Sequence, residues 1–251
     1  MRKIVFPVIF VTLVVMAFSL WMPLDVMAKQ SATAITAWAD NLVRQPDDPP
    51  YMSIHYRLRE LYFSVNPSPA RPVVFLGDSI TYGGNWGKLF PDSPVENRGI
   101  GGDSTRGLLR RLDQVIAIKP SQIFLMIGTN DLCYNRQLPD IIANYRVILD
   151  RLRSELPDTR LYIQSVLPFN DELFPARALR SNANIAALNA EIRKLAAEQK
   201  LPYLDLAPAF TGPDGRLPAK YTDDGLHLSE AAYYVWRDQI KHLVGTPAKK
   251  I

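Results

Sequence analysis

The chain has 251 residues, 47% hydrophobic and 22% charged, which is ample for a packed core and excludes a disordered or fibrous protein. One cysteine, Cys133, excludes a disulfide framework, a cysteine zinc site and an iron–sulfur cluster, and three histidines (His55, His227, His242) leave few ways to build a His-rich metal site. The 29 Lys and Arg against 25 Asp and Glu give a net charge of +4 with both signs interspersed, whereas nucleic-acid binding needs a concentrated basic stripe.

Met1-Arg2-Lys3 is a short basic start, and Ile4 to Leu24 is apolar apart from Thr12 and Ser19. Asp25-Val26-Met27-Ala28 follows, with Val26 and Ala28 as the small residues a signal peptidase prefers. Residues 1–28 therefore read as a secretory signal peptide, and the chain is expected to be exported, periplasmic or secreted. The alternative is an uncleaved anchor giving membrane association through residues 4–24, a run long enough to span a bilayer. Pro7, Pro23 and the cleavage site favour removal, which lowers the net charge from +4 to +3 by taking away Arg2, Lys3 and Asp25. A lone Cys133 in an oxidising compartment is expected to be buried.

Residues 29–71 read as a helical extension packed on the main domain, with helices over Ala32–Gln45 and Tyr51–Val65 separated by the break Pro46-Asp47-Asp48-Pro49-Pro50. After Asn66-Pro67-Ser68-Pro69, one domain over 72–251 alternates strands with helices. Strands are expected at Pro72–Leu76, Val95–Asn97, Ile123–Ile127, Leu161–Ser165 and Tyr203–Leu206, and helices at Thr105–Ile116, Pro139–Glu155, Ser181–Gln199 and Ser229–Val244. Near-continuous apolar strands fit a parallel sheet covered on both faces, so the pattern predicts a doubly wound, three-layer α/β/α sandwich.

Active groups in such a sheet gather beyond the carboxyl ends of the strands. Gly77-Asp78-Ser79-Ile80-Thr81 follows the first strand, Asn97-Arg98-Gly99-Ile100-Gly101-Gly102-Asp103 the second, Gly128-Thr129-Asn130-Asp131 the third, and Asp223-Asp224-Gly225-Leu226-His227-Leu228 lies beyond the fifth. Ser79 stands near the start of a helical turn, where free backbone N–H groups can face a developing anion. A serine hydroxyl needs a base; His227 is suited to the task, and Asp224 or Asp223 to orienting it. The N–H groups of Ser79 and Gly102 and the side-chain amide of Asn130 supply three oxyanion donors. The pattern predicts acyl transfer to water.

These four blocks resemble the SGNH hydrolases, also called GDSL esterases and lipases, over about Pro72 to Val244, and among them the small platelet-activating-factor acetylhydrolase-like and bacterial acyl-esterase members. The resemblance implies a flavodoxin-like sheet of five parallel strands in order 2-1-3-4-5 and no metal or organic cofactor. It places the family's Ser, Gly, Asn and His at Ser79, Gly102, Asn130 and His227, and its D-x-x-H pair at Asp224 and His227. The first block departs slightly, with Ile80 where many relatives have leucine.

Other residues carry plainer readings. Gly102-Asp103-Ser104 repeats the tripeptide, but no apolar strand leads into it, so Asp103 or Ser104 is expected to cap the following helix. Asp78 and Asp131 read as structural. Arg106, Arg110 and Arg111 read as a solvated helix face, with Arg106 a candidate contact for an anionic substrate group. His55 and His242 belong to none of the four blocks. The chain lacks the G-x-S-x-G of α/β-hydrolases, and Ser104 stands where a dinucleotide fingerprint needs its third glycine. A non-catalytic binding module on the same scaffold is the reading from another class.

Only about fifteen residues separate Ser79 from the second strand, too few for a large lid, which favours an open site and a short acyl group. Tyr82, Trp86 and Phe169 are expected to line the substrate, with Pro168–Phe174 as the opposite wall. The expected substrate is a small-molecule, glycan or lipid ester: acetyl removal from carbohydrate esters is preferred, with a lysophospholipase or short-chain acyl lipase as the alternative.

Overall fold

The computed structural model describes Pro49 and residues 51–245. The signal or anchor segment at 1–28 and the helix expected over Ala32–Gln45 lie outside the described residues. Contacts divide the chain into two units, Met1–Leu58 and Arg59–Ile251. The Ser53 hydroxyl accepts the Tyr56 N–H at 3.1 Å and so starts helix α1 (Ile54–Val65), whose residues fall in both units, later than the expected Tyr51.

The second unit carries five parallel strands, β1 (Val73–Gly77), β2 (Val95–Gly99), β3 (Gln122–Met126), β4 (Arg160–Gln164) and β5 (Tyr203–Leu204), in the spatial order β2-β1-β3-β4-β5. β1 and β3 are buried along their whole length, which is why they read as apolar runs. β2 is an edge strand, Val-Glu-Asn-Arg-Gly. It tolerates half-buried polar side chains while pairing with β1 as far as Gly77↔Gly99, two residues beyond the expected Asn97.

Among the described residues, seven further α-helices connect these strands or follow them: α2 (Ser79–Tyr82), α3 (Trp86–Leu89), α4 (Thr105–Ala117), α5 (Thr129–Cys133), α6 (Leu138–Glu155), α7 (Asn182–Glu198) and α8 (Glu230–Ile240). α8 ends before the expected Val244 because the chain turns onto the start of β3, where Gln122 accepts the Gly245 N–H at 2.7 Å and donates to the Leu243 carbonyl at 2.8 Å.

The chain steps one way from β1 to β2 and the other way afterwards. Right-handed crossovers then send the connections to opposite faces; α4 packs on α6 and α6 on α7, while α3 packs on α8. The reversal leaves a crevice between β1 and β3, where ligands bind in sheets of this kind. The register sets Gly77 level with both Gly99 and Met126, so three adjacent strands release the chain at one height. Ser79, Gly102 and Asn130 follow within a few residues.

Aromatic rings fill one side of the core. Phe75 stacks on Trp86 at 3.7 Å between centroids and on Phe124 at 5.3 Å, and Phe124 continues to Tyr162 at 4.7 Å. Trp236 of α8 meets Trp86 edge-on at 5.0 Å, fixing α3 and α8 together.

Candidate active site

Ser79 is the first residue of α2. Asp78 caps that turn, its Oδ1 accepting the Ile80 N–H at 3.0 Å, the local role expected for it. Burial pushes the Asp78 carboxyl up to about 7. From the other side Tyr233 Oη donates to the Ile80 carbonyl at 2.7 Å and Trp86 Nε1 to the Thr81 carbonyl at 2.9 Å. The turn is thus held at consecutive residues, and Ser79, half-buried, keeps its hydroxyl on the open side.

Ser79 Oγ lies 3.0 Å from His227 Nε2, and His227 Nδ1 lies 2.6 Å from Asp224 Oδ2. The other oxygen of Asp224 accepts the N–H groups of Leu226 at 2.9 Å and His227 at 2.8 Å. Asp224, not Asp223, therefore holds the ring. Burial works to raise its pKa, but the hydrogen bonds from the imidazole and the two backbone N–H groups prevail and hold it below the ordinary carboxylate value. Gly225 sits at φ +91°, and a Cβ there would fall 2.7 Å from the Asn170 carbonyl oxygen, so only glycine fits. Asn170 in turn donates its N–H to the Gly225 carbonyl at 2.7 Å, so the loop after β4 braces the histidine turn from behind.

Gly102 adopts φ +76°, and Tyr134 Oη donates to its carbonyl at 2.8 Å. Asn130, on α5, donates one amide hydrogen to the Asp103 carbonyl at 2.9 Å, which leaves the second for the site. Among the described residues no backbone carbonyl accepts the Ser79 or the Gly102 N–H. The three donors expected from the sequence therefore stand at the same sheet edge as the Ser79–His227–Asp224 chain.

Beneath them Arg111 Nε bonds Asp103 Oδ2 at 2.8 Å and Arg111 Nη2 bonds the Gly77 carbonyl at 3.0 Å. This corrects the reading of three solvated arginines: Arg106 and Arg110 are exposed, whereas Arg111 is buried. The signal was available, because Arg111 falls on the helical stripe of Leu108, Leu112 and Val115. Ser104 caps α4 by accepting the Gly107 N–H, and Asp131 accepts the Thr105 N–H at 2.9 Å and hydroxyl at 2.6 Å. Burial pushes both Asp103 and Asp131 up to about 6.

Two expected substrate contacts are corrected. Trp86 is 2% exposed and Phe169 0% exposed; both rings are core, so neither offers a wall to a ligand. Tyr82 is exposed, three residues beyond Ser79 on the same turn. Cys133 is half-buried rather than buried. Tyr134 and Arg111 are the supporting residues that the sequence reading missed. Among the described residues no group of three His, Cys, Asp or Glu side chains is placed to hold a metal ion.

A family model described as GDSL-like lipase/acylhydrolase matches residues 75–235. The chain is 28% identical over 190 residues to the platelet-activating factor acetylhydrolase IB subunit alpha1 of Bos taurus, covering 73% of this chain and 77% of that protein. A solved chain from Streptococcus pneumonia, named for platelet activating factor, is similar at TM-score 0.68 and 27% identity, covering 86% of this chain and 98% of its own. A GDSL-like lipase of Bacteroides thetaiotaomicron is similar at TM-score 0.64 and 26% identity, covering 74% and 95%.

Proposed function

The chain belongs to the GDSL-like lipase/acylhydrolase family and is an ester hydrolase, and from that premise we propose that Ser79, His227 and Asp224 carry the reaction and that the substrate is a short-acyl, chiefly acetyl, ester of a carbohydrate. The hydrogen-bonded chain from Ser79 Oγ through His227 to Asp224 carries the reading.

Ser79 Oγ attacks the ester carbonyl carbon as its proton passes to His227 Nε2. Asp224 fixes the tautomer with hydrogen on Nδ1 and stabilises the imidazolium that forms. The carbonyl oxygen becomes an anion held by the N–H groups of Ser79 and Gly102 and by the Asn130 amide. His227 then gives its proton to the departing alcohol oxygen. Water, activated by the same imidazole, hydrolyses the acyl-serine and restores the hydroxyl.

The short connection from Ser79 to β2 and the burial of Trp86 and Phe169 support a small acyl group, since neither ring is available to line a long alkyl tunnel. A short-acyl phospholipid ester is the second reading, supported by the activity named in the bovine relative. Export through the N-terminal segment belongs to the same proposal. A fluorophosphonate probe should label the protein at Ser79 and fail on Ser79→Ala. A series of nitrophenyl esters should show highest kcat/KM for acetyl. Labelling elsewhere defeats the residue assignment, and a preference for long acyl chains defeats the substrate.

A further inference from the structure

A hollow of about 350 Å³ opens between α3 and the start of α8, lined by residues that adjoin Ser79 and His227 in the chain or by hydrogen bond. Leu228 follows His227 in the chain, and the Gly83 N–H donates to the Ser79 carbonyl at 3.0 Å. Tyr233 and Leu89 close the inner side, and Tyr233 is the residue whose hydroxyl already pins the serine turn. At the mouth Lys88 Nζ meets Glu230 Oε1 at 2.6 Å, next to Tyr234, with 56% and 71% of the two charged side chains exposed.

An imidazole that takes the serine proton returns it to the leaving oxygen, so the alcohol half of an ester lies along the surface next to that ring. We infer that this hollow is the alcohol subsite and that it takes a polyhydroxylated ring, a saccharide. The inference rests on the assignment of Ser79 and His227 as the acyl-transfer pair. An ammonium and a carboxylate side by side present donors and an acceptor within one hydroxyl spacing, and neighbouring ring hydroxyls answer both. Their charges cancel, so the mouth favours neither a quaternary ammonium nor a phosphate. The Arg237 guanidinium lies over the Tyr234 ring at 4.8 Å from its centroid, so the ring's opposite face is the one that would meet the C–H side of a sugar. An alkyl chain in the same place would desolvate the two charges without replacing their hydrogen bonds.

An exposed ion pair adds little to folding, so removing it reads binding rather than stability. The experiment compares kcat/KM for a mono-acetylated hexoside and for ethyl acetate, whose alcohol is too small to fill the hollow, in the wild-type chain, the double variant Lys88→Ala/Glu230→Ala, and Tyr234→Ala. The ratio of the two values should fall about tenfold in each variant, through a rise in KM for the hexoside, as expected for lost ground-state hydrogen bonds. An unchanged ratio overturns the subsite, as does a wild-type enzyme that hydrolyses ethyl acetate and not the hexoside ester. A variant that instead changes acyl-length preference moves the hollow to the acyl half and also overturns it. Hydrolysis of neither ester, together with no phosphonate labelling at Ser79, is a different result, because it removes the acyl-transfer assignment itself.

Discussion

Ser79 and Asn130 stand over buried supports, whereas His227 rides on a turn that solvent reaches. Below the serine side, Asp103 and Arg111 are paired with side chains 0% and 1% exposed; across the cleft, Asp224 and His227 are 47% and 46% exposed. Losing one member of a buried ion pair strands a charge without water, while an exposed pair contributes little to stability. The proposed oxyanion half is therefore wired into what keeps this unit folded, and the proposed acid–base half is hung on it. The division follows from the chemistry: donors facing a developing anion must be fixed beforehand, so their carbonyl and guanidinium anchors lie in the core.

Substitution at either side chain proposed to react has the largest expected effect. Ser79→Ala and His227→Ala should each lower kcat on the order of 10⁴–10⁶-fold, and the melting temperature of His227→Ala should match that of the wild type. A large drop in melting temperature for His227→Ala breaks the contrast between the two halves. Arg111→Met leaves Asp103 buried and unpaired, and urea titration should show a loss of about 3–5 kcal/mol; a loss no larger than that of an exposed pair would place the serine half on the same footing as the histidine half. Asn130→Ala should reduce kcat about 10²–10³-fold, the effect of removing one oxyanion donor, with only a modest loss of stability from the missing bond to the Asp103 carbonyl. Unchanged turnover would take Asn130 out of the donor set.

The smallest effect concerns pH. Asp78 titrates near 7 when folded and near its ordinary 3.8 when unfolded, so between those values the folded chain holds a proton that the unfolded chain has released. Its contribution to stability is complete below about 4 and is lost as pH rises through 7. From pH 5.5 to 8 the loss is about 2 kcal/mol. Thermal melts across that range should show the wild type falling more steeply with pH than Asp78→Asn, and identical slopes would contradict the assignment. Asp224 has the opposite sign, with stability lost only as pH falls below the ordinary carboxylate range.

The site was more legible in the sequence than its supports were. β1 and β3 announce themselves because burial on both faces demands unbroken apolar runs, and the blocks that follow them carry residue types whose chemistry is specific. β2 was cut short because an edge strand keeps Glu96 and Asn97 partly in water and so does not look like its neighbours. Trp86 and Phe169 were misplaced because an aromatic near a motif reads equally as wall or as core, and only the stack on Phe75 decides for Trp86. Arg111 hid beside Arg106 and Arg110, although its position on the apolar stripe distinguished it. The Tyr134 contact with Gly102 leaves no mark in the sequence, since it depends on two loops meeting.

Asp224 divides its two oxygens between the backbone and the imidazole, and this has a bearing on what can replace it. Asparagine would keep an oxygen for the N–H groups of Leu226 and His227, so the turn would still form. Its amide nitrogen would then face Nδ1 as a donor, forcing the ring hydrogen onto Nε2, where it points at Ser79 and can accept nothing. A chain carrying Asp224→Asn would look native to any probe of shape and be mute as a base: the same carboxylate writes the loop and sets its polarity, and only the first of those tasks survives an isosteric exchange.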